Sequence, residues 1–173
     1  MRGYFAIGAE GISKPMNLGA LMRTSHAFGA SFVFSVGAAE KIRHVYRSDT
    51  SKTFEHVPYY QWDTKDDMAL PRGCTLVGVE LTDEAEELPE FRHPTAAAYI
   101  LGRERGSLSS EMIEKCAYTV KIPTKFCVNV SVAGALVMYD RMISMGRFAE
   151  RPVTPGRPVS ARELNLIQGR KKT

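Results

Sequence analysis

Three short stretches hold the polar residues whose types and spacing could do chemistry. The first is NLGALMR, residues 17–23, where Asn17 precedes a helical pattern and Arg23 projects a fixed positive charge from it. The second is LGRERG, residues 101–106, in which Gly102 and Gly106 bracket Glu104. Two glycines around an acid make a loop whose backbone can touch a ligand while the carboxylate orients a group nearby. Its G-x-x-x-G spacing is neither a dinucleotide fingerprint nor a P-loop. The third runs from Ile122 and Pro123 to Cys127, Val128, Asn129 and Ser131, and ends at a helix start. Unpaired N–H groups there suit an anionic or electron-rich ligand group. Each stretch also has a plain structural reading: an N-cap with a surface arginine, a turn, and a capped core helix.

The elements that must position these residues follow from hydrophobic patterning. Residues 4–10, 31–37, 57–62, 74–81, 96–102 and 117–123 read as strands, most of them near-continuously apolar, as in a parallel sheet. A helix is predicted over residues 18–28, with Asn17 as its cap, Leu18, Leu21, Met22 and Ala27 as its stripe, and Gly29 as its end. A short basic helix is predicted over 40–48, with Lys41, Arg43 and Arg47, and a helical turn in TKDDMAL, residues 64–70. Ser109 is placed to cap a helix running to Lys115. The last helix, within residues 126–146, has Val132, Leu136, Tyr139 and Ile143 as its expected buried stripe. Ala133, Gly134 and Ala135 keep its first turns thin, so a backbone or a flat ligand can come close. Alternating strands and helices give an α/β fold with a mainly parallel sheet. In such sheets ligands bind beyond the carboxyl ends of strands, where all three stretches lie.

Composition narrows the classes. The chain has 173 residues, 44% of them apolar and 24% charged, as in an ordinary globular protein. Cys74, Cys116 and Cys127 are odd in number and widely spaced, which reads as reduced thiols and neither a disulfide frame nor a zinc site. His26, His44, His56 and His93 are scattered, so a Ser-His-Asp triad and a metal centre are not expected. No apolar run suits a signal peptide or a membrane span, and a cytoplasmic location is expected. The net charge of +4 is uneven: residues 147–173 hold seven Lys and Arg against Glu150 and Glu163, a balance of +5. A domain over 1–148 and a basic tail over 149–173 are expected, with the tail either contacting a polyanion or lying solvated. Residues 80–90 carry six acids and no base, an expected solvated patch that repels nucleic acid.

Taken together and in this order, NLGALMR, ILGRERGSLS and IP…NVSVA resemble the SpoU/TrmH branch of the SPOUT methyltransferases over roughly residues 4–146. The resemblance implies an S-adenosyl-L-methionine-dependent RNA methyltransferase acting on a ribose 2′-hydroxyl of tRNA or rRNA. It also implies a C-terminal trefoil knot, a homodimer, and no metal. By the same resemblance Arg23 is the catalytic arginine, supported by Asn17, with Glu104, Asn129 and Ser131 completing the catalytic set. Val79, Leu101, Gly102, Gly106, Ile122, Pro123, Cys127 and Val128 would hold the cofactor. Two departures touch that cofactor loop: Cys127 stands where relatives often have Ser, and the link from Ile122 to Asn129 is shorter. The alternatives are a catalytically silent RNA-binding protein of the same fold and a base-modifying SPOUT enzyme. The arginine of NLGALMR argues for ribose, and Arg23, Glu104 and Asn129 together argue for an enzyme.

Overall fold

The computed structural model describes residues 3–39, 55–104 and 106–146. The expected helix at 40–48, the boundary at 148 and the basic tail lie outside the described residues. The first strand, β1 (Tyr4–Glu10), is followed by α1 (Pro15–Phe28), β2 (Phe32–Val36), β3 (Tyr59–Trp62), β4 (Thr75–Val79) and β5 (Glu86–Glu87). After them come β6 (Ala96–Leu101), α2 (Ser110–Lys115), β7 (Tyr118–Lys121) and α3 (Val130–Met145). The seven strands form one sheet in the order β3-β2-β1-β6-β4-β7-β5. Every pairing in it is parallel.

Both faces of the sheet are covered at its centre, which is why β1, β2, β4 and β6 read as nearly unbroken apolar runs. Along β1, Ile7 and Ala9 point into the core beneath α1 and α3, while Ala6 points to the core beneath α2. Tyr99 and Leu101 alternate with Ala98 and Ile100 in the same way along β6. From β1 the chain steps to β2 and β3 on one side, whereas β6, β4, β7 and β5 lie on the other. Loops after β1 and β6 therefore border a crevice at the top of the sheet, the usual ligand position in such folds.

The two long helices differ from expectation in instructive ways. α1 starts at Pro15, whose fixed φ and missing N–H suit a first helical position, so Lys14 is the N-cap and Asn17 lies within the first turn. Ala27 is exposed, and Ser25 takes the buried position, its Oγ donating to the Leu21 carbonyl at 2.7 Å. In α3 the predicted stripe is turned outward: Val132, Leu136 and Tyr139 are exposed, and Ile143 is half-buried. Val130, Ala133, Gly134, Val137, Met138 and Arg141 are the buried ones. The thin residues set this choice. A Cβ on Gly134 would sit 2.6 Å from the Leu21 side chain, so α3 approaches α1 and the sheet too closely for bulky groups.

Smaller corrections follow the same logic. Residues 64–70 form no helical turn; Thr64 and Asp67 bond one another across a tight bend. The acidic stretch is only partly solvated, since Ala85, Leu88 and Phe91 are buried beside β5. His93 is not an isolated histidine. Its side chain is fully buried, with Nδ1 2.6 Å from the Tyr99 hydroxyl and Nε2 2.9 Å from Asp140. Arg141, 4% exposed, lies in the same cluster and donates to that hydroxyl at 3.0 Å. Cys74, Cys116 and Cys127 are free thiols. No described helix is long and apolar enough to cross a membrane.

Candidate active site

Glu104, in the loop after β6, reaches across the crevice to the loop after β1. Its carboxylate accepts from the Lys14 N–H at 2.7 Å, the Ser13 N–H at 3.1 Å and the Ser13 hydroxyl at 3.0 Å. It also accepts from the Asn17 side-chain amide at 3.2 Å. Partial burial pushes its pKa up, but donors from its own backbone, Lys14, Asn17 and Ser13 together outweigh this and hold it below the ordinary 4.5. Glu104 is thus an ionised anchor and a poor general acid.

That anchor orients the next two side chains. With its amide nitrogen committed to Glu104, Asn17 turns its oxygen toward α3, where it accepts from the Asn129 amide at 3.2 Å. Asn129 in turn caps α3, its oxygen accepting from the Ser131 N–H at 2.9 Å and the Ser131 hydroxyl at 2.7 Å. One directed chain therefore runs Ser131, Asn129, Asn17, Glu104. It joins the start of α1 to the loop after β6 and to the start of α3, across 87 and 112 residues of sequence.

Beside this chain lies a cavity of about 380 Å³ at the carboxyl ends of β4, β6 and β7. Val79, Leu101, Ile122 and Val128 form apolar walls, and Gly102, Gly106 and Cys127 also line it. Glu104 lies on its rim. Pro123, Asn17, Asn129, Ser131 and Arg23 do not line it. Arg23 is exposed. It follows Asn17 by six residues, which on a helix is about 9 Å along the axis and roughly 240° around it. The residue expected to carry the chemistry therefore lies outside the lining of the chain's own cavity, on an exposed face of α1. A second cavity, of about 450 Å³ and lined by Glu10, Asp63, Lys65 and Arg103 among others, holds none of the expected site residues.

Several residues that shape the site were not singled out from sequence. Glu80 accepts from the Leu108 N–H at 2.7 Å and so ties the β6 loop to the end of β4. Glu10 does the same for Ser109, accepting from its N–H at 2.7 Å and its hydroxyl at 2.6 Å. Thr124 braces the loop after β7 by donating to the Phe126 carbonyl at 3.0 Å. Glu80 was hidden in an acidic run, and only pairing across the sheet separates it from its neighbours.

The cavity suits S-adenosylmethionine on three counts. Its volume falls in the small-ligand range. Its apolar walls can take a flat adenine, and charged groups of both signs, Glu80, Glu104 and Arg103, line it for the polar ends of the ligand. Among the described residues no cluster of His, Cys, Asp and Glu could hold a metal ion.

Residues 4–139 match the model of the SpoU rRNA Methylase family. The chain is 30% identical over 145 residues to the tRNA (guanosine(18)-2′-O)-methyltransferase TARBP1 of Mus musculus, covering 75% of this chain and 9% of that protein. It is 26% identical over 150 residues to the 23S rRNA (guanosine-2′-O-)-methyltransferase RlmB of Neisseria meningitidis, covering 76% and 55%. The chain thus spans about half or less of the length of these curated relatives. The solved SpoU methyltransferase AviRb of Streptomyces viridochromogenes shares its fold, with a TM-score of 0.71, 20% identity, and coverage of 84% and 61%. So does the AdoMet-bound rRNA methyltransferase of Sinorhizobium meliloti, with a TM-score of 0.72, 19% identity, and coverage of 83% and 57%. With the family model spanning all seven strands and reaching into α3, the chain belongs to the SpoU rRNA methylase family.

Proposed function

We propose that the protein transfers a methyl group from S-adenosyl-L-methionine to a ribose 2′-hydroxyl of tRNA or rRNA. The observation that carries this reading is the chain Glu104–Asn17–Asn129 at the edge of an apolar cavity. S-adenosylmethionine held in this cavity would supply a methyl group made electrophilic by its sulfonium sulfur. The protein's part is alignment, worth on the order of 7–11 kcal/mol when two reactants are fixed in line. Val79, Leu101, Ile122 and Val128 hold the adenosyl portion, with Gly102, Gly106, Pro123 and Cys127 shaping the surrounding backbone. Asn129 and Ser131 lie nearest the acceptor ribose. Arg23 offers a delocalised positive charge whose planar fork of N–H donors matches phosphate oxygens. It therefore stabilises the oxygen as its proton departs to the adjoining phosphate or water, and grips that phosphate. A C-terminal trefoil knot and a cytoplasmic location belong to the same reading.

Arg23 reaches a cavity in this reading only from a second copy of the chain. The outer face of α1 carries Met16, Gly19, Ala20, Arg23 and Ala27, all exposed. Beyond α1's own backbone, nothing lies within 4 Å of the place a Gly19 Cβ would take, so a partner helix can come close there. Next to it α3 exposes Val132, Leu136, Tyr139 and Met142. A homodimer covers this apolar stripe and carries each Arg23 to the partner's cavity. Mixing Arg23→Ala subunits with Asn129→Ala subunits tests the arrangement. Each alone is inactive, and the mixture regains methyl transfer if the site is shared; a mixture as dead as its parts contradicts it.

A further inference from the structure

At the end of α3 away from the site, Arg141 is buried in an otherwise apolar helix face. Its guanidinium donates to four oxygens: the Pro94 carbonyl at 2.7 Å, the Thr95 carbonyl at 3.0 Å, the Tyr4 carbonyl at 3.3 Å and the Tyr99 hydroxyl at 3.0 Å. Tyr4 begins β1, and Thr95 immediately precedes β6, so the arginine grips the entry ends of the two central strands. All four acceptors are neutral, and Asp140 is bonded to His93 instead. A buried cation without a carboxylate on it is costly, and an apolar side chain of similar length would fill the space at lower cost.

What an apolar residue cannot supply is direction. The rest of the buried face, Val130, Ala133, Gly134, Val137 and Met138, is smooth and small, and such a surface resists sliding along the helix axis weakly. Four hydrogen bonds of fixed geometry resist it strongly. The opposite end of the same helix presents Asn129, whose amide must meet Asn17 at 3.2 Å. Since α3 is continuous from Val130 to Met145, a displacement at Arg141 passes undiminished to Asn129.

We propose that Arg141 is a positioning residue, fixing α3 along its axis so that Asn129 is delivered to Asn17 at the active site. The catalytic half of this inference rests on the methyltransferase reading; the geometric half does not. The test compares full-length wild-type protein with Arg141→Met, which fills the space without the hydrogen bonds, and with Tyr99→Phe, which removes one acceptor.

In a crystal structure of Arg141→Met, α3 is expected to shift by about 1 Å relative to α1, enough to cost on the order of a hundredfold in single-turnover rate. S-adenosylmethionine affinity, measured by titration, is expected to fall much less than the rate, by no more than about tenfold, because α3 contributes only Val130 and Ala133 to the cavity lining. Tyr99→Phe should show a smaller loss of the same kind and serves if Arg141→Met does not fold. An unshifted α3, a wild-type rate well below the melting temperature, or cofactor affinity lost in step with rate overturns the inference. Wild-type protein that methylates no RNA removes the methyltransferase reading and leaves the displacement of α3 still decided by the crystal structure.

Discussion

Arg23 and Glu104 are both charged, yet their surroundings assign them opposite work. Arg23 stands exposed with its charge available, whereas the Glu104 carboxylate is bonded to Ser13 and Lys14 of the β1 loop and to Asn17 in the first turn of α1. Arg23→Ala should therefore cut turnover by about a hundred- to a thousandfold, as for other electrostatic groups in active sites, with cofactor affinity nearly unchanged. Equal loss of both on titration and rate measurement would assign Arg23 a structural role. Glu104→Gln should cost stability of about 1–2 kcal/mol, the range for charge-assisted bonds at a partly exposed site, read by denaturant titration. Because its folded pKa is lowered, the stability it contributes is present above its ordinary value of 4.5 and lost as pH falls through the folded value. His93 gives a second pH signal. Burial lowers its pKa below 6.5, with Arg141 lowering it further and Asp140 opposing. The unfolded chain then binds the proton more readily, so stability is full above about pH 6.5 and declines as pH falls below it. His93→Gln should flatten that part of the melting-temperature profile; an unchanged profile would show that His93 is not its source.

Helices and strands differ in how well the sequence announced them. The central strands were plain because burial on both faces leaves no polar alternation to misread, and β1 runs over the residues expected, Tyr4–Glu10, whereas the exposed β5, Glu86–Glu87, lies in the acidic run read as a solvated patch. The α2 cap was equally plain: Ser109 accepts from the Met112 N–H, as its place before Glu111 implied. The face of α3 was misjudged because apolar spacing marks a surface that leaves water without saying what covers it. Bulky Leu136 and Tyr139 look outward, while Gly134 and Ala133 make the close contact inside. The helix expected from residue 18 begins three residues earlier, at Pro15. The polar relay could not be read at all, since nothing local ties Glu104 to Ser13 or Asn129 to Asn17. A helix face left open in this way makes a prediction of its own. Leu136→Asp should change the stability of the isolated chain by no more than about 0.5 kcal/mol, as at an ordinary surface position. It should nevertheless convert the protein to monomers in sedimentation and abolish methyl transfer. A dimer that survives this change would show that α3 is not the interface.

At the scale of the whole molecule, charge and site have to cooperate on one RNA. The body, residues 1–146, is near neutral at −1, and the seven Lys and Arg of residues 147–173 supply the cationic balance. RNA held through phosphates by that segment should bind with a log–log salt slope near −0.7 for each phosphate neutralised. Deleting residues 149–173 should flatten that slope, and an unchanged slope would remove the tail from RNA binding. The most direct measurement is nucleoside mass spectrometry of tRNA and rRNA incubated with the purified protein and methyl-labelled S-adenosylmethionine. The account predicts a labelled 2′-O-methyl nucleoside that disappears with Arg23→Ala. Label on a base, or on no RNA although the cofactor binds, would contradict it.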